Sequence, residues 1–166
     1  MATIAEQVYP RQLRALHWTV VALVIVQLFS ADWMEDFFRR AEHLPLGTLP
    51  DTAGSALHAL SGATILILMA VRFLIRLKYG TPPLPSDLPR GLQLLALTNH
   101  FAFYAVLVLM PLTGLSALMF ARDLGAVHEA LKNVLYVLVG LHLAGVAFHM
   151  FVLRDGLLWR MLVIRR

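Results

Sequence analysis

An all-α fold, with four helices crossing a membrane as one bundle, is what this sequence predicts, and three observations predict it. Of 166 residues, 59% are hydrophobic and 14% charged, against about 45–50% and about 25% in soluble domains, and the mean hydropathy is +0.72. Four stretches lack Asp, Glu, Lys and Arg altogether: 15–31, 52–71, 91–121 and 133–153, of 17, 20, 31 and 21 residues. A bilayer core asks for about 20 helical residues. The basic residues also segregate to alternate ends of these stretches. The same composition excludes a disordered chain or a collagen. A net charge of +4 in such a chain reads as loop anchoring and not as nucleic-acid binding. Without cysteine there is no disulfide, Fe–S cluster, thiol nucleophile or C-x-x-C-H haem attachment. No Ser–His–Asp arrangement or phosphate-binding loop is visible either.

The first run, 15–31, follows Arg11 and Arg14 and is longer than the apolar core of a signal peptide, so it reads as a span. The second opens after Asp51 and closes at Arg72 and Arg76. Residues 78–90 hold Pro82, Pro83, Pro85 and Pro89, a stiff break between spans. The third run exceeds one upright crossing, so its first turns are expected at the interface, and Pro111 with Gly114 is expected to kink it. The fourth span is preceded by Asp123, Glu129 and Lys132. With no repeat and no second domain, residues 1–166 read as one transmembrane domain. Ten Lys and Arg fall on one side and four, Arg39, Arg40, Arg122 and Lys132, on the other. The positive-inside rule then puts both termini in the cytoplasm. The outer side carries seven acids, several of them in an expected loop over 32–42.

Seven histidines are unexpected in so apolar a chain, because ionisable groups in a bilayer are costly and usually functional. His128 and His142 are 14 residues apart, about 21 Å of helical rise with about 40° of net rotation. Both rings can therefore face one side at two depths, as two flat cofactors stacked across a bilayer require; the alternative is that both are satisfied polar residues inside a bundle. Antiparallel neighbours supply the partners. Counted from the outer flank, His58 lies about 10 Å deep and His128 about 8 Å, while His17 lies about 22 Å deep and His142 about 28 Å. The depths pair His58 with His128 near the outer face and His17 with His142 near the inner face. Two neutral imidazoles per haem give a low-spin iron suited to electron transfer.

Other residues carry open alternatives. His149 is seven residues past His142, nearer the cytoplasm, and is either a proton relay to a quinone or an interfacial polar group. His100 is either a hydrogen-bond donor beside the cofactor or packing. Arg72, 14 residues after His58, reaches the inner depth, where it either pairs with a haem propionate or anchors the helix by snorkelling. Arg14, three residues before His17, faces the same choice. Lys132, one turn from His128, is a basic group on the donor side or a partner for Glu129. Ser55, Gly54, Gly62, Gly140 and Gly145 either let a haem plane approach the backbone or serve helix packing. His43, in a polar outer segment, reads as solvated.

The stretches Arg-Ala-Leu-His17-Trp18, Leu57-His58, Arg72-x-x-x-Arg76-Leu-Lys-Tyr-x-Thr-Pro-Pro, His100-x-x-x-Tyr104, Pro111-Leu-Thr-Gly114, Val127-His128-Glu129 and Gly140-Leu141-His142 resemble the bacterial dihaem cytochrome b-561 family. The likeness runs from about Tyr9 to Asp155. It implies a four-helix cytochrome of the bacterial inner membrane with two non-covalent b haems on His17, His58, His128 and His142, and electron exchange with ubiquinone. Some members of the family look like superoxide oxidases, which makes superoxide or another periplasmic one-electron donor the expected partner. The alternative is a haem-bearing anchor subunit of a larger dehydrogenase or hydrogenase, with a soluble protein docked on one face.

Overall fold

The computed structural model describes residues 10–80, 88–156 and 158–162; the break expected at Pro82, Pro83 and Pro85 lies outside them. Four long helices dominate: α1 (Arg11–Arg40), α2 (Ala53–Tyr79), α3 (Arg90–Met119) and α4 (Leu124–Ala147). All four, with α4 taken on to Leu153, are long and apolar enough to cross a membrane, their best windows having mean hydropathy of 1.6–2.0. A π-helical turn, Phe148–Leu153, continues α4, and a single short turn, α5 (Trp159–Leu162), follows.

Local chemistry sets the boundaries. Pro10 and Pro89 stand just before α1 and α3, where a missing backbone N–H removes no helical bond. Thr52 and Ser55 form a reciprocal capping box at the start of α2, satisfying two donors that the first turn leaves free. Gly80 ends α2 at φ +69°, a conformation that glycine adopts without a Cβ clash. Pro111 lies inside α3, which continues past it.

The acidic segment expected as a loop is helical as far as Arg40. Asp36 pairs with Arg39 and Arg40, three and four residues on, the spacing at which helical side chains meet. Phe37 is buried against Leu118 and Ala41 on the inward face of the same turns. Arg40 also reaches Asp51 through two hydrogen bonds, of 2.6 and 3.0 Å, and Arg122 donates to the Leu44 carbonyl. These bonds tie the α1–α2 connection to the α3–α4 turn, forming what is called below the acidic end. The other end, where α1 and α3 begin and α2 and α4 finish, is the basic end.

One apolar cluster runs through the bundle: Val20, Ile65, Met69, Val106, Leu107, Leu135 and Leu138, from all four helices. Large side chains such as Phe29, Phe101 and Leu60 face outward, as lipid-facing residues should. Helix α1 packs on α2, α2 on α3 and α3 on α4, whereas the backbones of α1 and α4 barely approach each other. What bridges α1 and α4 is side chains, and histidines are prominent among them.

Candidate functional site

At the acidic end His58 on α2 faces His128 on α4, their ring centroids 6.3 Å apart and the planes at 67°. Each ring is held through Nδ1. Ser30, fully buried on α1, stands 3.1 Å from His58 Nδ1 and donates its own proton to the Val26 carbonyl at 2.7 Å. His128 Nδ1 donates to the Met110 carbonyl at 2.8 Å, since a carbonyl can only accept. Gly114 makes that reach possible: a Cβ there would stand 3.0 Å from His128 Nδ1. Gln27 donates to the His58 carbonyl at 2.7 Å and to Ser61 Oγ at 2.9 Å, locking α1 onto α2 beside the ring.

At the basic end His17 on α1 faces His142 on α4, again with centroids 6.3 Å apart, at 57°. His100 meets His142 edge-on at 5.7 Å, Phe103 meets it at 5.6 Å, and Trp18 lies 5.3 Å from His17. Among the described residues neither His17 nor His142 makes a ring hydrogen bond. His100 uses its Nδ1 on the Ala96 carbonyl at 2.6 Å, which keeps the bond within α3. Arg72 donates to the Leu13 carbonyl at 2.5 Å, one turn before His17. Arg14, one turn before His17, is buried, and its Nε has no hydrogen-bond partner among the described residues. A buried guanidinium without an anion is costly.

These residues fit haem. Metal–imidazole bonds of about 2 Å, with about 1 Å more from nitrogen to ring centre, separate two axial imidazoles by about 6 Å, and both pairs stand at 6.3 Å. Among the described residues no group of three or more His, Cys, Asp or Glu converges as a metal cage would. Histidines in twos on facing helices would suit a planar macrocycle with two axial positions. Bonds from Nδ1 leave Nε2 free at the acidic end, the usual arrangement of a ligating histidine, and the orphaned Arg14 Nε suits a propionate.

The small residues divide. Ser55 serves the α2 cap, the Gly54 backbone is covered by the Trp33 indole, and Gly62 abuts the Gln27 amide. Gly140 and Gly145 face open space. Lys132 pairs with Glu129 at 2.7 Å. His43 is exposed.

His149 sits in the π-helical turn with Nδ1 2.5 Å from Asp155 Oδ2, both side chains mostly buried. Arg154 between them is left-handed, φ 51°, which folds Asp155 back onto the ring. A cleft of about 370 Å³ is lined by Met150, Arg154 and Gly156, chain neighbours of this pair, with Leu158 and Trp159. Ser30, Gln27, the Met110 carbonyl and Asp155 carry no histidine-like signal in the sequence and emerge only from the packing.

A family model described as prokaryotic cytochrome b561 matches residues 8–163. The chain is 30% identical to a probable superoxide oxidase CybB of Yersinia pestis, over 91% of this chain and 93% of that protein. It is also 30% identical to cytochrome b562 of Cereibacter sphaeroides, over 95% and 96%. A cytochrome b561 homolog 1 of Escherichia coli is 21% identical, over 91% and 94%.

Proposed function

The chain belongs to the prokaryotic cytochrome b561 family, and from that premise we propose that it is a dihaem superoxide:ubiquinone oxidoreductase. Membership makes it a multi-pass bacterial membrane protein and a b-type cytochrome that transfers electrons. The observation that supports two haems is the repetition of one histidine pair, at one spacing, at both ends of α4. The net reaction is two superoxide plus ubiquinone plus two protons, giving two dioxygen and one ubiquinol. The relative named a probable superoxide oxidase supports the donor.

His58 with His128, and His17 with His142, would hold the two haems, which would supply one-electron chemistry. Arg14 and Arg72 take the propionates at the basic end, and the edge of His100 fixes the plane of His142. The distribution of basic residues supports an acidic end outside the inner membrane and both termini in the cytoplasm. Lys132 is the donor-side cation, one turn from His128. His149, held by Asp155, hands a proton to quinone bound in the cleft that its chain neighbours line.

A second reading, a haem-bearing anchor for a dehydrogenase or hydrogenase, draws on the acidic end. Arg39, Arg40 and Lys132 are each paired with a carboxylate. Asp32, Glu35, Glu42 and Asp123 have no ion pair among the described residues, a surface better suited to a cationic protein than to a small anion.

Purified protein given ubiquinone and a superoxide-generating system separates the two. Two b haems per chain and superoxide-driven quinol formation without any other protein are expected. A colourless chain sinks both readings. Haem reduction that requires a co-purifying soluble subunit sinks the first alone.

A further inference from the structure

The two histidine pairs share a spacing and differ in what holds them. At the acidic end both rings are anchored through Nδ1, His58 at Ser30 and His128 at the Met110 carbonyl. At the basic end neither His17 nor His142 has a ring hydrogen bond among the described residues. A serine hydroxyl has one proton and two lone pairs. Ser30 gives its proton to the Val26 carbonyl at 2.7 Å, with the Gln27 carbonyl 3.3 Å away, so toward His58 its oxygen accepts.

We propose that Ser30 is a positioning residue: its oxygen accepts the Nδ1–H of His58, fixes Nε2 as the ligating atom, and gives the acidic-end pair the lower reduction potential of the two. The proposal rests on the haem reading of the pairs.

An Nδ1–H that donates a hydrogen bond leaves more electron density on Nε2 and makes it a stronger ligand. A stronger ligand favours the more highly charged, oxidised iron. The Met110 carbonyl acts on His128 in the same sense. At the basic end the two rings have no such acceptors among the described residues, while the Arg72 guanidinium reaches the Leu13 carbonyl, one turn before His17, and Arg14 is buried on the same turn. Positive charge beside the iron favours its reduced form. Ligand strength and local charge thus separate the two sites in one direction, and hydrogen bonding is among the levers a protein has on such potentials. Ser30 is also fully buried between helices, so in the wild type no bulk water competes with its oxygen for the ring.

Redox titration of the purified holoprotein tests this, with haem content measured alongside. Wild type should resolve two one-electron components, and His128→Ala should delete the lower one. Ser30→Ala should raise the lower component alone, changing its oxidised-to-reduced ratio at fixed potential about tenfold, which is about 59 mV. If Ser30→Ala sheds one haem, Ser30→Thr, which keeps the hydroxyl, should retain both at wild-type potentials. The proposal is overturned if neither component moves, if both move together, or if His128→Ala deletes the higher one. Loss of haem from both Ser30 variants overturns it too, since packing would then be the cause. Wild type with fewer than two haems would instead refute the dihaem reading itself.

Discussion

The imidazole of His128 lies directly on the backbone of Gly114, where a Cβ would stand 3.0 Å from Nδ1 and 3.1 Å from Cε1. The ring therefore reaches the Met110 carbonyl, one turn back on α3, only because position 114 has no side chain. Gly114→Val should push the ring off that carbonyl, with an overpacking cost of about 1–3 kcal/mol. Haem content per chain should fall by about half, and Gly114→Ala should fall between wild type and Val. Full haem content in Gly114→Val would break the link between this glycine and the ligand.

How far the sequence carries can be judged from particular residues. The juxtaposition of His58 with His128 and of His17 with His142 is legible, because helical rise converts residue counts into depths and antiparallel topology pairs equal depths. The helical character of 32–40 is not legible, since it depends on where Asp36, Arg39 and Phe37 project once a helix exists. Ser30 looks like one more small residue in an apolar run; its role is set by a ring on another helix. Gly54 and Gly62 sit at the right spacing from His58, yet Trp33 and Gln27 occupy the space beside them. Nothing in Phe148–Leu153 announces the change of helical register that brings His149 to Asp155.

Lys132 and Glu129 set up a test of the donor. Their ion pair cancels the nearest positive charge to His128 on α4. Glu129→Gln should release that charge and raise the rate of superoxide-driven reduction several-fold at low salt, with the gain fading as ionic strength rises. Lys132→Gln should lower it. Rates that ignore both substitutions would remove Lys132 from the donor site.

The Asp51 carboxyl is held below the ordinary carboxylate range by its hydrogen bonds from Arg40. A depressed carboxylate contributes stability that is present above the ordinary value of about 4 and is lost as pH falls through its lower folded-state value. The thermal midpoint of the holoprotein should therefore drop on acidification through that range. Asp51→Asn should flatten the Arg40-dependent part of the drop. The effect should be small, because both side chains are about half exposed.

The acceptor side depends on a backbone shape. Arg154 is the sole described non-glycine residue with positive φ, and that conformation brings Asp155 within 2.5 Å of His149. Asp155→Asn keeps the size and removes the carboxylate that accepts from His149 Nδ1. Quinone reduction should fall about a hundredfold, the lower range for loss of a positioned acid or base, with both haem spectra unchanged. His149→Gln should fall at least as far. Arg154→Gly, which suits φ 51°, should keep the dyad and most of the rate, whereas Arg154→Val should strain the turn and behave like Asp155→Asn. A rate that survives Asp155→Asn while His149→Gln loses it would leave His149 acting without its partner. A rate that survives both would place the proton donor elsewhere.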